Sequence, residues 1–286
     1  MKKQLCLFAF ASVITANSLW AQGNEGMFSG SLPDNWTADV VAALKYTRNH
    51  YDNWGEGGTN ASSWIAEYNA DTKGHWTAVD WRILSKLAWG NSYLDGIGNR
   101  KSVDKIFFET TLDYNGFGVL KPYLGARFES QFTTGYVYTD STNAKVSCFM
   151  DPGYLTQVVG LSYVPNENFS QRLAFANRMT ISEGYGWADD KETAKVETFK
   201  DEPGLESVTE YKLDVSSLVV FKTRLWAFVN FESVDAIDGK WENSLAVALA
   251  PLIELSIGID LAYDKDVSED HQYKDAVLLG ITWRWF

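Results

Sequence analysis

The sequence predicts an all-β chain closed into one transmembrane antiparallel β-barrel of about twelve strands. Three observations carry this reading. First, the final stretch alternates strictly: Val277, Leu279, Ile281, Trp283 and Trp285 are apolar, with Gly280, Thr282 and Arg284 between them. A period of two places the sets on opposite faces of a strand. An uncharged face ending in two Trp would invite aggregation on a soluble edge strand, whereas facing lipid it is stable. Second, segments of about 10–14 residues with alternating character recur from Asp39 onward, separated by turn signals. Third, the connections alternate in length. Those at 72–74, 115–118, 165–168, 222–223 and 251–252 are short, and those between them are mostly longer. Short periplasmic turns and longer outer loops, with both termini periplasmic, produce this alternation.

Composition narrows the class. The chain of 286 residues is 45% hydrophobic and 15% aromatic, with 12 Trp, which is heavy for a soluble domain. Its formal net charge of −12 leaves no basic stripe to neutralise phosphates, so nucleic acid is excluded as a partner. Mean hydropathy is −0.22, and no apolar run in the body reaches the ~18 residues of a transmembrane helix. The crossing elements are therefore strands. At the N-terminus, Lys2 and Lys3 precede the apolar run Leu5–Ile14, and Ala21 fits the end of a secretory signal. The expected organisation is a signal peptide over 1–21, a periplasmic lead-in over 22–38 and the barrel over 39–286. Removal of the signal, with Cys6, leaves Cys148, so no intramolecular disulfide can form.

In chain order, strand one spans 39–51 and turns at Trp54–Gly58. Strand two spans 60–71 and turns at 72–74. Strand three, 75–89, shows Thr77, Val79, Trp81, Ile83, Leu87 and Trp89 on one face and Asp80, Arg82 and Lys86 on the other. A loop is expected over Gly90–Ser102, then strand four over 103–114 and strand five over 119–132. Strand five sets Leu120, Leu124, Ala126 and Phe128 against Lys121, Arg127 and Glu129. A loop over 133–152 leads to strand six (154–164) and strand seven (169–181). The acidic stretch 182–204 reads as the longest outer loop. Strand eight spans 205–221, strand nine 224–234 and strand ten 241–250. Strand eleven, 253–263, sets Ile253, Leu255, Ile257, Ile259, Leu261 and Tyr263 against Glu254, Ser256, Gly258 and Asp260. The terminal strand closes on strand one.

The alternation assigns faces. The expected lumen-lining charges are Asp80, Arg82 and Lys86, then Glu109, Lys121, Arg127 and Glu129. Arg172, Arg178, Lys212, Glu254, Asp260 and Arg284 continue the set, and Glu232 is placed inward with them. Trp81, Trp89, Trp241, Tyr263, Trp283 and Trp285 are expected in the membrane girdles. Trp81 and Trp89 lie roughly 20 Å apart along the membrane normal at ~3.3 Å rise and ~40° tilt, near the spacing of two aromatic belts.

The terminal segment resembles the assembly signal of Gram-negative outer-membrane barrels, in which alternate apolar residues lead to a final aromatic. Leu279, Ile281, Trp283 and Trp285 match it, and Phe286 lies one residue beyond. The stretch Asn53-Trp54-Gly55-Glu56-Gly57-Gly58-Thr59-Asn60 is similar to the N-terminal pattern of an outer-membrane family known as a domain of unknown function. That resemblance implies a barrel and no particular activity.

Catalytic and metal chemistry find little support. Outer-membrane phospholipases need a His and a Ser two apart on one outward face. His50, His75 and His271 are followed at that spacing by Asp52, Thr77 and Tyr273. No catalytic residue, cofactor motif or phosphate-binding loop is identified. His50 and His271, with Asp264, Asp266, Glu269 and Asp270 near the latter, are weak candidates for holding a divalent cation. Two function classes remain. One is a narrow channel or transporter for small polar solutes. The other is a closed structural or surface-interaction barrel. A lipid-acting enzyme is disfavoured. Expected partners are outer-membrane lipids and lipopolysaccharide, and the barrel-assembly machinery through the C-terminal strand.

Overall fold

With no water in hydrocarbon, each backbone N–H and C=O of a spanning strand needs a partner in a neighbouring strand, which forces closure. The computed structural model describes residues 32–50, 59–138, 143–189, 195–233, 237–264 and 268–285; the side chains of Ser268, Glu269, Arg284 and Trp285 lie outside that description. The elements are β1 (Trp36–Asn49), β2 (Ala61–His75), β3 (Val79–Leu94), β4 (Gly98–Tyr114), β5 (Leu120–Ser130), β6 (Gly135–Tyr138), β7 (Asn143–Ser147), β8 (Gly153–Asn166), β9 (Phe169–Ile181), β10 (Phe199–Ser216), β11 (Val219–Asn230), β12 (Ile237–Ala250), β13 (Ile253–Asp264) and β14 (Ser268–Trp285). Twelve strands form a closed barrel in the order β1-β14-β13-β12-β11-β10-β9-β8-β5-β4-β3-β2, and β6 and β7 form a separate hairpin. All barrel neighbours pair antiparallel.

The chain is thus a twelve-strand transmembrane barrel, and its outer face shows why. Leu44, Leu124, Val159, Leu173, Phe175, Leu225, Val277, Leu279 and Ile281 are all exposed. An apolar surface of that extent fits lipid and not water. Ring pairs sit on the same outer face: Trp36 edges onto Trp76 at 5.5 Å and Trp81 at 5.7 Å, and Trp64 onto Trp89 at 4.8 Å.

Several boundaries differ from the sequence expectation. The stretch Gly90–Ser102 is no loop: β3 and β4 run through it to a three-residue turn at Asp95–Ile97. Gly96 and Gly98 adopt φ of 79° and 88°, which glycine reaches without a Cβ penalty, and the Asp95 carboxylate accepts the Gly96 N–H at 3.1 Å. The turn expected at Lys222-Thr223 lies at 217–218, because the Ser216 hydroxyl accepts the Leu218 N–H at 3.2 Å while Lys222 and Thr223 pair with Lys212 and Tyr211. The acidic stretch 182–204 shortens to 182–198, with β10 beginning at Phe199. Glu202 therefore belongs to the barrel wall, buried at 6% exposure. Glu232 lies beyond the end of β11 and is exposed, so its inward placement is corrected: the strand ends before the alternation reaches it. The 133–152 loop contains the β6–β7 hairpin. The barrel wall begins at Trp36, three positions before the expected Asp39. The signal segment and most of Asn53–Asn60 lie outside the described residues.

Candidate functional site: the barrel interior

The side chains that alternate with the lipid-facing set meet inside the barrel. Because the wall is closed, an ion pair between strands that are not neighbours must cross the interior. Arg82 on β3 meets Glu210 on β10 at 2.5 Å, although β4, β5, β8 and β9 separate these strands. Arg82 also makes a two-pronged contact with Asp71 at 2.8 and 2.9 Å, the fork geometry that guanidinium favours.

Glu109 on β4 anchors the centre. It lies 2.9 Å from Arg172, 2.7 Å from Arg224 and 3.6 Å from Arg127. Arg127 in turn meets Glu206 at 2.5 Å and Glu129 at 3.0 Å. Arg224 also reaches Glu210 at 2.5 Å, and Arg172 reaches it at 3.4 Å. Glu109, Arg127, Arg172, Arg224 and Glu206 are all below 10% exposed. A buried charge without a partner costs several kcal/mol, so the interlocking of these groups, with Glu109 and Arg127 each meeting three opposite charges, is what makes this interior stable. Aromatic rings complete the packing. Arg127 stacks over Trp226 at 5.4 Å, Arg224 over Phe107 at 5.5 Å, and Trp226 donates its indole N–H to Glu206 at 2.7 Å.

A second cluster lies beside the first. Glu242 on β12 receives Lys105 of β4 at 2.7 Å, Lys86 of β3 at 3.1 Å and Lys240 at 3.4 Å. β4 and β12 stand on opposite sides of the ring, so this bridge spans the full interior. Arg178 meets Asp238 at 2.7 Å and stacks over Tyr154 at 4.7 Å. Lys105, Lys240, Glu129, Asp260, Lys274 and Tyr154 line a cavity of about 490 Å³ next to this cluster. A smaller void of about 10 Å³ lies against Glu109, Arg127, Arg172 and Glu206.

The remaining sequence-singled residues are dispersed. Lys121 and Asp80 pair at 2.6 Å, and His75 lies 3.1 Å from Asp80. Lys212 pairs with Asp214 at 3.4 Å where both are exposed, near the 217–218 turn. Glu254 is buried and accepts the Ser256 hydroxyl at 3.1 Å. Asp260 lies opposite Glu242 and Lys274 in register. Arg284 pairs by backbone with Val41, and its side chain and that of Trp285 are outside the description. On the outer face, the Trp81 indole donates to Thr110 at 2.7 Å and that of Trp241 to Thr223 at 2.8 Å. Tyr263 packs on His271 at 5.1 Å, and Trp283 is 39% exposed. His50 is exposed, and no cluster of three or more His, Cys, Asp or Glu able to hold a metal occurs among the described residues.

Asp71, Glu206, Asp238, Lys240 and Glu242 join these clusters without having been singled out in the sequence, and Glu202, expected in the acidic outer loop, lies in the wall 2.8 Å from Lys200. The signal for Glu206, Lys240 and Glu242 is present: each alternates with Leu205, Gly239 or Trp241 on its strand. The expected start of strand ten at Trp241 left out Lys240, which β12 includes.

Residues 46–136 match the model of a family described as a protein of unknown function (DUF3078). No curated protein matches. Among solved structures, the NanC porin is 9% identical over 86% of this chain and 99% of its own, with a TM-score of 0.41. An outer membrane channel from Pseudomonas putida F1 is 12% identical over 92% and 99%, with a TM-score of 0.42. The translocator domain of the autotransporter NalP from Neisseria meningitidis is 11% identical over 99% and 98%, with a TM-score of 0.33. The chain thus carries, over 46–136, the pattern of an uncharacterised family on a closed antiparallel barrel.

Proposed function

We propose that the protein is a narrow outer-membrane channel for small polar solutes, with both termini on the periplasmic side. The observation that supports it is the asymmetry of the interior. The charged web packs mainly against β3 to β11. Across from it, β12 to β14 carry a patch of small inward positions, Ser244, Ala246, Ser256, Gly258 and Ala276, between the charged Glu242, Asp260 and Lys274 toward one end and Glu254 toward the other. Ser244 is exposed, and a Cβ placed on Gly258 would meet nothing nearer than 3.9 Å. A lumen with space along one wall and fixed charges along the other suits slow passage of small hydrated solutes. The outer rings would lie at headgroup level among outer-membrane lipids and lipopolysaccharide, and β14 would carry the signal read by the assembly machinery. Nothing in this reading requires catalysis.

A closed barrel without transport is the second reading, supported by the Lys105–Glu242 bridge across the full ring. Planar-bilayer recording separates the two. A channel gives discrete conductance, and Arg82→Ala with Arg127→Ala raises it roughly twofold or more by opening the web. Absence of any conductance or solute flux from reconstituted protein eliminates the channel reading.

A further inference from the structure

The cavity of about 490 Å³ occupies the end of the barrel that carries the longer connections. Along their strands, its lining residues Lys105, Glu129 and Lys240 lie nearer that end than Glu109, Arg127 and Glu242, and Lys274 lies nearer it than Ala276. The cavity therefore stands before both the charged web and the patch of small residues. Its volume falls within the ~300–1,000 Å³ of small-molecule sites. Its rim is tied down: the Ser130 hydroxyl donates to the Pro152 carbonyl at 3.2 Å, and the Gln131 amide donates to the Cys148 carbonyl at 2.9 Å.

The lining carries three ammonium groups, Lys105, Lys240 and Lys274, and three carboxylates, Asp104, Glu129 and Asp260. The numbers balance, but the engagements do not. Asp104 accepts the backbone N–H groups of Phe132 and Thr133 at 2.7 and 2.8 Å and the Thr133 hydroxyl at 2.6 Å, and Lys101 lies 3.2 Å away. Glu129 is held by Arg127 at 3.0 Å. Two of the three carboxylates are thus already spent on the wall. On the positive side, Lys105 and Lys240 share one oxygen, Glu242 Oε1, at 2.7 and 3.4 Å, and Lys86 takes Oε2 at 3.1 Å. Three ammonium groups on one carboxylate leave positive charge in excess, and each ammonium has three donors to place. Lys274 stands opposite Asp260 in register, yet neither makes an ion pair among the described residues. After these engagements the surplus facing the cavity is positive, with Asp260 as its one unengaged opponent. A recess with such a surplus concentrates anions.

We propose that this cavity is a binding vestibule for a small organic anion, a carboxylate-bearing solute held among Lys105, Lys240 and Lys274. Lysine presents a compact charge with rotatable donors rather than a rigid fork, which suits a solute that is held and then released. Tyr154 and Gln272 add neutral polar groups for its hydroxyl substituents. The assignment names a solute class for the channel and rests on that reading for passage, whereas binding does not require it.

The test is calorimetric titration of the full-length mature protein in detergent micelles, which needs no conduction. Three probes of similar size differ in charge: gluconate, sorbitol and N-methylglucamine. Saturable binding of gluconate alone is expected. Lys240→Gln with Lys274→Gln weakens it roughly tenfold. Asp260→Asn, which removes the opposing charge, tightens it roughly threefold, a gain that loss of structure would not produce. Sorbitol or N-methylglucamine binding as well as gluconate, or gluconate binding unchanged in both variants, overturns the vestibule. Potassium chloride conductance of the same samples reports separately on the channel. Conductance without gluconate binding overturns the vestibule and leaves the channel. Gluconate binding that follows the variants without any conductance supports the vestibule and removes the channel.

Discussion

The two halves of the barrel wall solve the same problem in opposite ways. From β3 to β11 the interior is filled, with three carboxylates, Glu109, Glu206 and Glu210, knitted to Arg82, Arg127, Arg172 and Arg224. On β12 to β14, between Glu242, Asp260 and Lys274 toward one end and Glu254 toward the other, it is left open by Ser244, Ala246, Ser256, Gly258 and Ala276, which present almost no side chain. Glycine marks the contrast. A Cβ on Gly204 of β10 would sit 2.2 Å from the Val229 carbonyl oxygen and 2.7 Å from the Phe228 ring, whereas on Gly258 it would meet only the Asn243 carbonyl oxygen at an ordinary 3.9 Å. On one wall glycine is required by close packing, and on the other it keeps room. Stability therefore resides in the filled wall, the proposed solute path runs along the open patch, and the two should respond to different substitutions.

The largest expected effect is in the web. Glu109→Leu removes the carboxylate shared by Arg127, Arg172 and Arg224 and leaves a net positive charge in a buried interior, and should destabilise the barrel by about 3–5 kcal/mol, read as a lower urea midpoint in detergent micelles. A loss below ~1 kcal/mol would mean that the web is solvated and carries little of the stability. Next, Gly204→Ala should cost about 1–3 kcal/mol by overpacking, while Gly258→Ala should stay within ~0.5 kcal/mol; equal costs would erase the distinction between the walls. Gly258→Trp sharpens it further, because the ring projects into the vacant side. It should cut single-channel conductance by roughly half or more with little change in unfolding midpoint. Conductance unaffected by that substitution would move the solute path elsewhere. The smallest effect belongs to Lys222→Ala. Its bridge to Asp39 spans 3.2 Å between side chains 48% and 44% exposed, and exposed pairs contribute about 0–1 kcal/mol. A scan of thermal unfolding should show almost no shift.

The sequence was most legible where one physical rule governs every residue. In lipid a strand must alternate, so Ile253 to Tyr263 against Glu254 to Asp260 could be read directly, and β13 begins at Ile253 as that alternation requires. Turns were legible where a local device is encoded, as at Pro251-Leu252. They were obscure where it is not. The 217–218 turn rests on one serine hydroxyl, and the stretch Gly90–Ser102 looks polar and loop-like although it forms a hairpin. Such an error shifts the boundary without inverting the faces: Phe221 pairs with Leu213 on one face and Val220 with Asp214 on the other.

By itself, then, the amino-acid sequence determined the fold class and the approximate strand count. Those follow from local periodicity and from the cost of exposing backbone or charge to lipid. Only the tertiary structure decided who pairs with whom inside. Arg82 and Glu210 are 128 positions apart in sequence, and their meeting depends on which strands closure sets across the ring. The same holds for the small inward patch of β12 to β14, which stands across from the charged web only because closure sets those strands there, and for the pairing of β1 with β14, the first and last strands, whose relation no local pattern encodes.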